Sequence, residues 1–251
     1  MLLRANAPIA STPPLGLIEN ACLFLDFDGT LVEIAPSPHE VVVGNGLRQL
    51  LARLQEKLDG RLAILSGRDA AQIRTMLEMP QLVVAGSHGL EVLWADGGGL
   101  TFDRPEALDA VLAEMREFAK DWTGVVVEAK PLGVALHYRK EPLAEQSCHE
   151  LGQVLALEYG LKLQPGRKVI ELRSHGADKG TALRLMMNSP EFAGYRPVCL
   201  GDDHTDESAF AAAADLGGCG ILVGPVKDTR ALCRLDNVDA ALAWLSEASQ
   251  V

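Results

Sequence analysis

The strongest constraint on the fold is a run of apolar residues that ends in acid. Ala21-Cys22-Leu23-Phe24-Leu25-Asp26 is followed at once by Phe27-Asp28-Gly29-Thr30. Five apolar residues in succession, with no polar alternation, describe a strand covered on both faces, as strands are inside a parallel sheet. The pattern then recurs along the chain. Leucines at 47, 50, 51, 54 and 58 predict an amphipathic helix over 46–58, closed by Gly60. Residues 62–65 form the second strand, 69–77 a helix with Asp69 as N-cap, and 82–85 a third strand. After residue 174 the alternation resumes with a helix over 178–188, a strand at 198–201, an alanine-rich helix at 205–215, a strand at 221–224 and a closing helix at 238–245. Alternating strands and helices predict an α/β fold with a parallel sheet.

Between about 96 and 174 the pattern changes. A helix over 105–122 precedes alternating strands at 125–130 and 134–139, joined by a turn at 131–133. The same unit repeats as a helix over 142–159, a strand at 161–164, a turn at Pro165-Gly166 and a strand at 168–173. Two helix-hairpin units predict an antiparallel sheet with helices on one face, an α+β cap inserted into the first unit. Gly97-Gly98-Gly99 reads as the hinge into it. The expected division is an N-terminal arm at 1–20, a core domain of 21–96 and 175–251, and a cap domain of 97–174. Residues 1–20, interrupted by Pro8, Pro13 and Pro14, lack the continuous apolar segment of a secretory signal and are expected to be a loose arm.

Composition narrows the function. The net charge of −11 excludes a nucleic-acid binder, whose affinity depends on clustered Lys and Arg. No stretch approaches the ~18 apolar residues of a membrane span. Five widely spaced cysteines, an odd number, read as reduced core thiols and point to the cytoplasm.

Ligands of open α/β sheets bind outside the carboxyl ends of the strands, and there this chain places its polar residues. Asp26 and Asp28 end the first strand, Ser66-Gly67-Arg68 the second, and Gly201-Asp202-Asp203-His204-Thr205-Asp206-Glu207 the fourth. Carboxylates gathered at one rim repel by roughly 4 kcal/mol for a pair 4 Å apart at an effective dielectric near 20, so they require a cation. An oxygen-only donor set favours Mg²⁺ over zinc. Asp26 and Asp202 are the candidate side-chain ligands, with Asp28 contributing its carbonyl oxygen. Lys179, at the start of a helix in Gly176-Ala177-Asp178-Lys179-Gly180, stands where free amides already attract anions. A phosphate between Mg²⁺, Lys179, the Ser66 hydroxyl and the amides after Asp26 would be neutralised on all sides, the condition for phosphoryl transfer. Two carboxylates two residues apart can divide the work, one attacking phosphorus while the other protonates the leaving oxygen. Crowding by neighbouring carboxylates is expected to help Asp28 hold that proton.

Asp26-Phe-Asp-Gly-Thr, Ser66, Lys179 and Gly201-Asp202-Asp203-x-x-Asp206, in that order, resemble the four motifs of the haloacid dehalogenase superfamily of phosphotransferases. The resemblance implies a Rossmann-like core. It makes Asp26 the nucleophile of an aspartyl-phosphate and Asp28 the general acid, then base. Ser66 and Lys179 hold the phosphoryl group, Asp202 binds the metal, and Asp206 and Asp203 belong to its outer shell.

The insert is similar to the larger cap of sugar-phosphate phosphatases in that superfamily. Glu128-Ala-Lys130, Leu136-His137-Tyr138-Arg139, Gly166-Arg-Lys168-Val-Ile-Glu171, Gly86-Ser-His88-Gly89-Leu-Glu91 and Gly201-Asp-Asp-His-Thr-Asp-Glu207 resemble trehalose-6-phosphate phosphatases. That likeness implies hydrolysis of trehalose 6-phosphate in trehalose biosynthesis, with a pathway link to trehalose-6-phosphate synthase. It implies sugar contacts from Glu128, Lys130 and Glu171, with Lys168 and Arg139 as further candidates and Gly67, Arg68 and His88 beside them. Glu128 and Lys130 share one face of a strand and can reach one ligand. His137, His175 and His204 are expected to support or pack, and residues 33–43 to form a loop able to touch substrate or cap. The rival readings are a phosphatase of another sugar phosphate, a sugar phosphomutase, and a receiver-like phospho-signalling module. Against the last, Asp28 would hasten loss of a phosphate that a switch must keep.

Overall fold

The computed structural model describes residues 12–250. β1 (Ala21–Leu25) leads through a loop to α1 (Asn45–Lys57), β2 (Leu62–Leu65), α2 (Ala70–Leu77) and β3 (Val83–Gly86). A short antiparallel pair follows, β4 (Glu91–Leu93) and β5 (Gly99–Thr101). The second layer comprises α3 (Leu108–Ala119), β6 (Val126–Lys130), β7 (Gly133–His137), α4 (Glu145–Tyr159), β8 (Lys162–Gly166) and β9 (Val169–Arg173). The chain returns through α5 (Lys179–Met187), β10 (Arg196–Gly201), α6 (Glu207–Asp215), β11 (Cys219–Val223), β12 (Cys233–Leu235) and α7 (Val238–Ala248).

The larger sheet has eight strands in the order β12-β11-β10-β1-β2-β3-β4-β5. It is parallel from β12 to β3 and antiparallel at the β4 and β5 edge. β1 lies between β10 and β2, and all five of its residues are buried. Strand alternation divides them: Leu23 and Leu25 pack with α1, α2 and α7 through Leu51, Leu54, Ile73 and Leu245, whereas Cys22 and Phe24 pack with α5 and α6 through Leu183, Met186 and Phe210. This two-sided burial explains the uninterrupted apolar run. Asp69 caps α2 by accepting from the Gln72 amide at 2.7 Å, as its position predicts, and Asp178 with Thr181 closes a capping box on α5.

The smaller sheet is wholly antiparallel, in the order β6-β7-β9-β8. Val134, Leu136, Ile170 and Leu172 turn one face towards Val111 and Met115 of α3 and Cys148 and Leu155 of α4. The residues between them face the other way. Opposed across the four strands in one row are Glu128, Ala135, Glu171 and Gln164, and the next row holds Lys130, Gly133, Arg173 and Lys162.

Several local expectations are corrected. Gly97-Gly98-Gly99 does not form a hinge into the insert; Gly97 and Gly98 lie in the turn between β4 and β5, where Trp94 N donates to Gly98 O at 2.8 Å, and Gly99 opens β5. That strand pairs with the larger sheet, past residue 96 where the first unit was expected to end. The turn expected at Pro165-Gly166 lies at Arg167-Lys168, with Pro165 opposite Ile170 inside β8. β8 is an edge strand, where proline's missing N–H costs no ladder bond. Of the expected arm, residues 1–11 lie outside the described residues. Its remainder is not loose: Ile18 is buried and Trp244 Nε1 donates to Pro13 O at 2.8 Å.

Candidate active site

The end of β1 delivers Asp26 into the rim of the larger sheet, where its amide donates to Leu200 O at 2.9 Å. Lys179, at the start of α5, donates to Asp26 Oδ1 and Asp206 Oδ1, both at 2.6 Å, with all three side chains buried. Asp202, at the end of β10, completes the group: ligand oxygens of Asp26, Asp202 and Asp206 lie within 4.8 Å of one another. Two glycines make room. A Cβ on Gly29, whose φ is +90°, would lie 2.3 Å from Asp202 Oδ2, and one on Gly201 would lie 2.2 Å from Asp206 Cγ.

Three carboxylates against one ammonium leave an excess of negative charge. Burial raises the Asp26 pKa well above the usual carboxylate range; Lys179 opposes that rise while Asp206 and Asp202 add to it. Asp202 is pushed up to about 7, first by burial and then by Asp206 and Asp203. Burial alone would lower Lys179, but Asp206 and Asp26 overcome it and raise its pKa. Such an oxygen-only, charge-frustrated cluster fits a hard divalent cation. Asp206 stands inside this cluster rather than outside it, whereas Asp203 accepts from the His204 amide at 2.7 Å and lines the neighbouring cavity.

Asp28 is paired with an arginine. Its oxygens are clasped by Arg68, with Nε donating to Oδ2 at 2.6 Å and Nη2 to Oδ1 at 2.8 Å, and the same guanidinium donates to Pro38 O at 3.0 Å. No sequence pattern links positions 40 apart, so this partner was not legible. Ser66 is buried, and its Oγ accepts from Arg68 N at 3.1 Å. Of the amides after Asp26, that of Gly29 is already taken by Val32 O at 2.8 Å.

A cavity between the two sheets joins these groups to the smaller sheet's polar face. Asp26, Asp28, Lys179 and Asp202 line one end; Gly67, Arg68, His88, Glu128, Lys130, Arg139 and Glu171 line the rest. Lys130 Nζ spans the sheets, donating to Glu171 Oε2 at 2.5 Å and to Gly67 O at 3.1 Å. Glu171 is held below the usual range: burial would raise it, but Lys130 and His88 outweigh that. His88 stands 3.6 Å from Glu171, in a left-handed backbone conformation, and burial lowers its pKa. His137 Nε2 lies 2.8 Å from Glu128 Oε2.

Lys168 does not join them. At the β8–β9 turn it pairs with Glu145 at 2.6 Å and is absent from the cavity lining. Arg139 does line it and donates to Ala35 O, tying the smaller layer to the loop over 33–43, whose Ile34, Ser37, Pro38 and Val41 also face the cavity. Arg167 and Thr205, inside quoted motifs but given no role, also line it, whereas Gln164 of the lining, and Lys227, which donates to Asp202 O, escaped the sequence reading. For Gln164 the period-2 alternation of β8 was an available signal; for Lys227, beyond the last motif, there was none.

The fold is similar to that of haloacid dehalogenase-like hydrolases. One solved member of that class, from Bacteroides thetaiotaomicron, superimposes with a TM-score of 0.61 at 17% identity, covering 89% of this chain and 98% of that one. The C-terminal domain of the C. albicans trehalose-6-phosphate phosphatase superimposes with a TM-score of 0.82 at 24% identity, covering 94% and 95%. The trehalose-phosphatase family model matches residues 24–239. The trehalose-6-phosphate phosphatase of Escherichia coli (strain K12) is 35% identical over 240 residues, 95% of this chain and 89% of that protein. The chain belongs to the trehalose-phosphatase family.

Proposed function

We infer that the chain hydrolyses trehalose 6-phosphate to trehalose and inorganic phosphate. Family membership over most of its length supports the substrate. The observation that carries the chemistry is the buried contact of Lys179 with Asp26 and Asp206, beside Asp202, at one end of a cavity walled by Glu128, Lys130 and Glu171.

In this reading an Asp26 carboxylate oxygen attacks phosphorus and the bond to the sugar oxygen breaks. Asp28 gives that oxygen its proton, leaving free trehalose and an aspartyl-phosphate. Asp28, now ionised, then takes a proton from water as that water attacks phosphorus, releasing phosphate and restoring Asp26. The Arg68 clasp fits the carboxylate that Asp28 becomes on giving up its proton, while Asp26 carries the phosphoryl group. Lys179 and Ser66 hold the phosphoryl oxygens. A Mg²⁺ ion held by Asp26, Asp202 and the Asp28 carbonyl, with Asp206 within reach, would supply positive charge to the phosphoryl group. Glu128 and Glu171 accept from sugar hydroxyls and Lys130 donates to them, remote from phosphorus. The five cysteines are all free, which supports a cytoplasmic setting, and among the described residues no helix is long and apolar enough to cross a membrane.

The test is phosphate release from a panel of sugar phosphates with and without Mg²⁺. Trehalose 6-phosphate should give the highest kcat/KM, and chelation should abolish turnover. A better substrate elsewhere in the panel would move the assignment to another sugar phosphate.

A further inference from the structure

Three charged side chains share the polar face of the smaller sheet at close quarters, and their pairing is selective. Lys130 lies two residues from Glu128 on the same face of β6, yet its hydrogen bonds go to Glu171 and Gly67 O. Glu128 instead engages His137 at 2.8 Å, both side chains being 15% exposed. The register accounts for this contact. Glu128 stands opposite Ala135 and His137 opposite Val126, so the two are diagonal neighbours, within reach of long side chains. A carboxylate only accepts, so Nε2 carries the proton and Nε2–H donates to Oε2. Oε1 has no hydrogen-bond partner among the described residues, and Glu128 lines the cavity. His137 lines the cavity as well, and shares a small second pocket with Pro36, Pro38 and Arg139.

We propose that His137 is a positioning residue for substrate recognition: it holds Glu128 apart from the Lys130–Glu171 pair, so that one carboxylate oxygen stays free for a sugar hydroxyl. Without it, Glu128 turns to Lys130, two residues along the same face of β6, and both lose the geometry that receives the sugar. Lys130 is drawn towards both carboxylates, Glu171 more strongly than Glu128, so the competition is built into the site. The inference rests on the sugar-phosphate reading above.

The experiment compares His137→Ala, His137→Gln, Glu128→Ala and the His137→Ala/Glu128→Ala double variant on trehalose 6-phosphate and on a small aryl phosphate. His137→Ala should raise KM for trehalose 6-phosphate about 10-fold, the scale of one lost hydrogen bond to a charged group. Its kcat, and its kcat/KM for the aryl phosphate, should change little, which also establishes that the variant is folded. His137→Gln, which keeps a donor, should recover most of the loss. In the Glu128→Ala background His137→Ala should add nothing, because its effect runs through that carboxylate. If the alanine variant loses its fold, His137→Met, which fills the space without a donor, carries the same comparison. An unchanged KM, an equal loss on both substrates, or a full additional loss without Glu128 overturns the proposal while leaving the function intact. If wild-type protein does not turn over trehalose 6-phosphate, or Glu128→Ala leaves KM unchanged, the substrate reading fails and this inference falls with it.

Discussion

The two ends of the cavity are built by opposite means. At the phosphoryl end, Asp26, Lys179, Asp202 and Asp206 come from separate elements, and three of the four are buried to 5% exposure or less. Their positions follow from parallel strand ends and from the starts of two helices, α5 and α6, packed on one side of the sheet. At the sugar end, Glu128, Lys130, His137 and Glu171 come from three adjacent antiparallel strands and stand in neighbouring rows of one face. The first end converges through tertiary packing; the second is drawn by the pleat of a single sheet. A rigid centre suits chemistry that is the same for every phosphate ester, whereas rows on a sheet can change one side chain at a time and so carry specificity.

The comparison breaks most sharply at Asp26. Asp26→Asn should lower kcat by about four orders of magnitude or more for sugar and aryl phosphates alike, as loss of a nucleophile does. Full activity in that variant would mean that the two ends do not differ in kind. Lys179→Ala should also affect both substrates. It leaves Asp26 and Asp206 buried without their shared partner, and should cost the metal-free protein about 3 kcal/mol or more in denaturant unfolding. A loss below about 1 kcal/mol would show the ammonium to be dispensable to packing.

Asp202 adds a dependence on pH opposite in sign to that of Glu171 and His88 at the sugar end. Its native pKa of about 7 lies above the usual 3.8, so between those values the folded state binds one proton more than the unfolded chain. Stability of the metal-free protein should therefore fall as pH rises through that window and reach its low plateau above it. Thermal unfolding from pH 4 to 8 should show that decline and Mg²⁺ should remove most of it; a rise with pH would contradict the charge-frustrated cluster. The smallest effect is expected at Gly133→Ala. The added Cβ would lie 2.7 Å from Glu171 Oε1, displacing a carboxylate held by Lys130. The expected cost is about 1 kcal/mol of sugar binding, about fivefold in KM for trehalose 6-phosphate, with aryl phosphate unaffected.

The two ends also differed in how legibly the sequence announced them. The unbroken apolar run before Asp26, the acids after β10 and Lys179 at a helix start each carry a local pattern, and strand-end geometry brings them to one rim. The helix-hairpin repeat likewise disclosed the smaller sheet and the shared face of Glu128 and Lys130. β4, β5 and β12 were missed because three-residue strands at or near a sheet edge show no periodicity. The β8–β9 turn fell at Arg167-Lys168 because Pro165-Gly166, a strong turn signal, is tolerated inside an edge strand. Lys168 consequently points at Glu145 rather than at the ligand. Pairings that cross the fold, Arg68 with Asp28 and Lys130 with Gly67 O, depend on side chains meeting in three dimensions and leave no mark on the linear pattern.

The most direct test of the whole account is to stop trehalose 6-phosphate turnover with acid, under which an acyl phosphate survives, and to weigh the peptides. The account predicts one added phosphoryl group on the peptide that carries Asp26, absent from Asp26→Asn and from protein stripped of Mg²⁺. A phosphoryl group on another residue, or none while turnover proceeds, would contradict it.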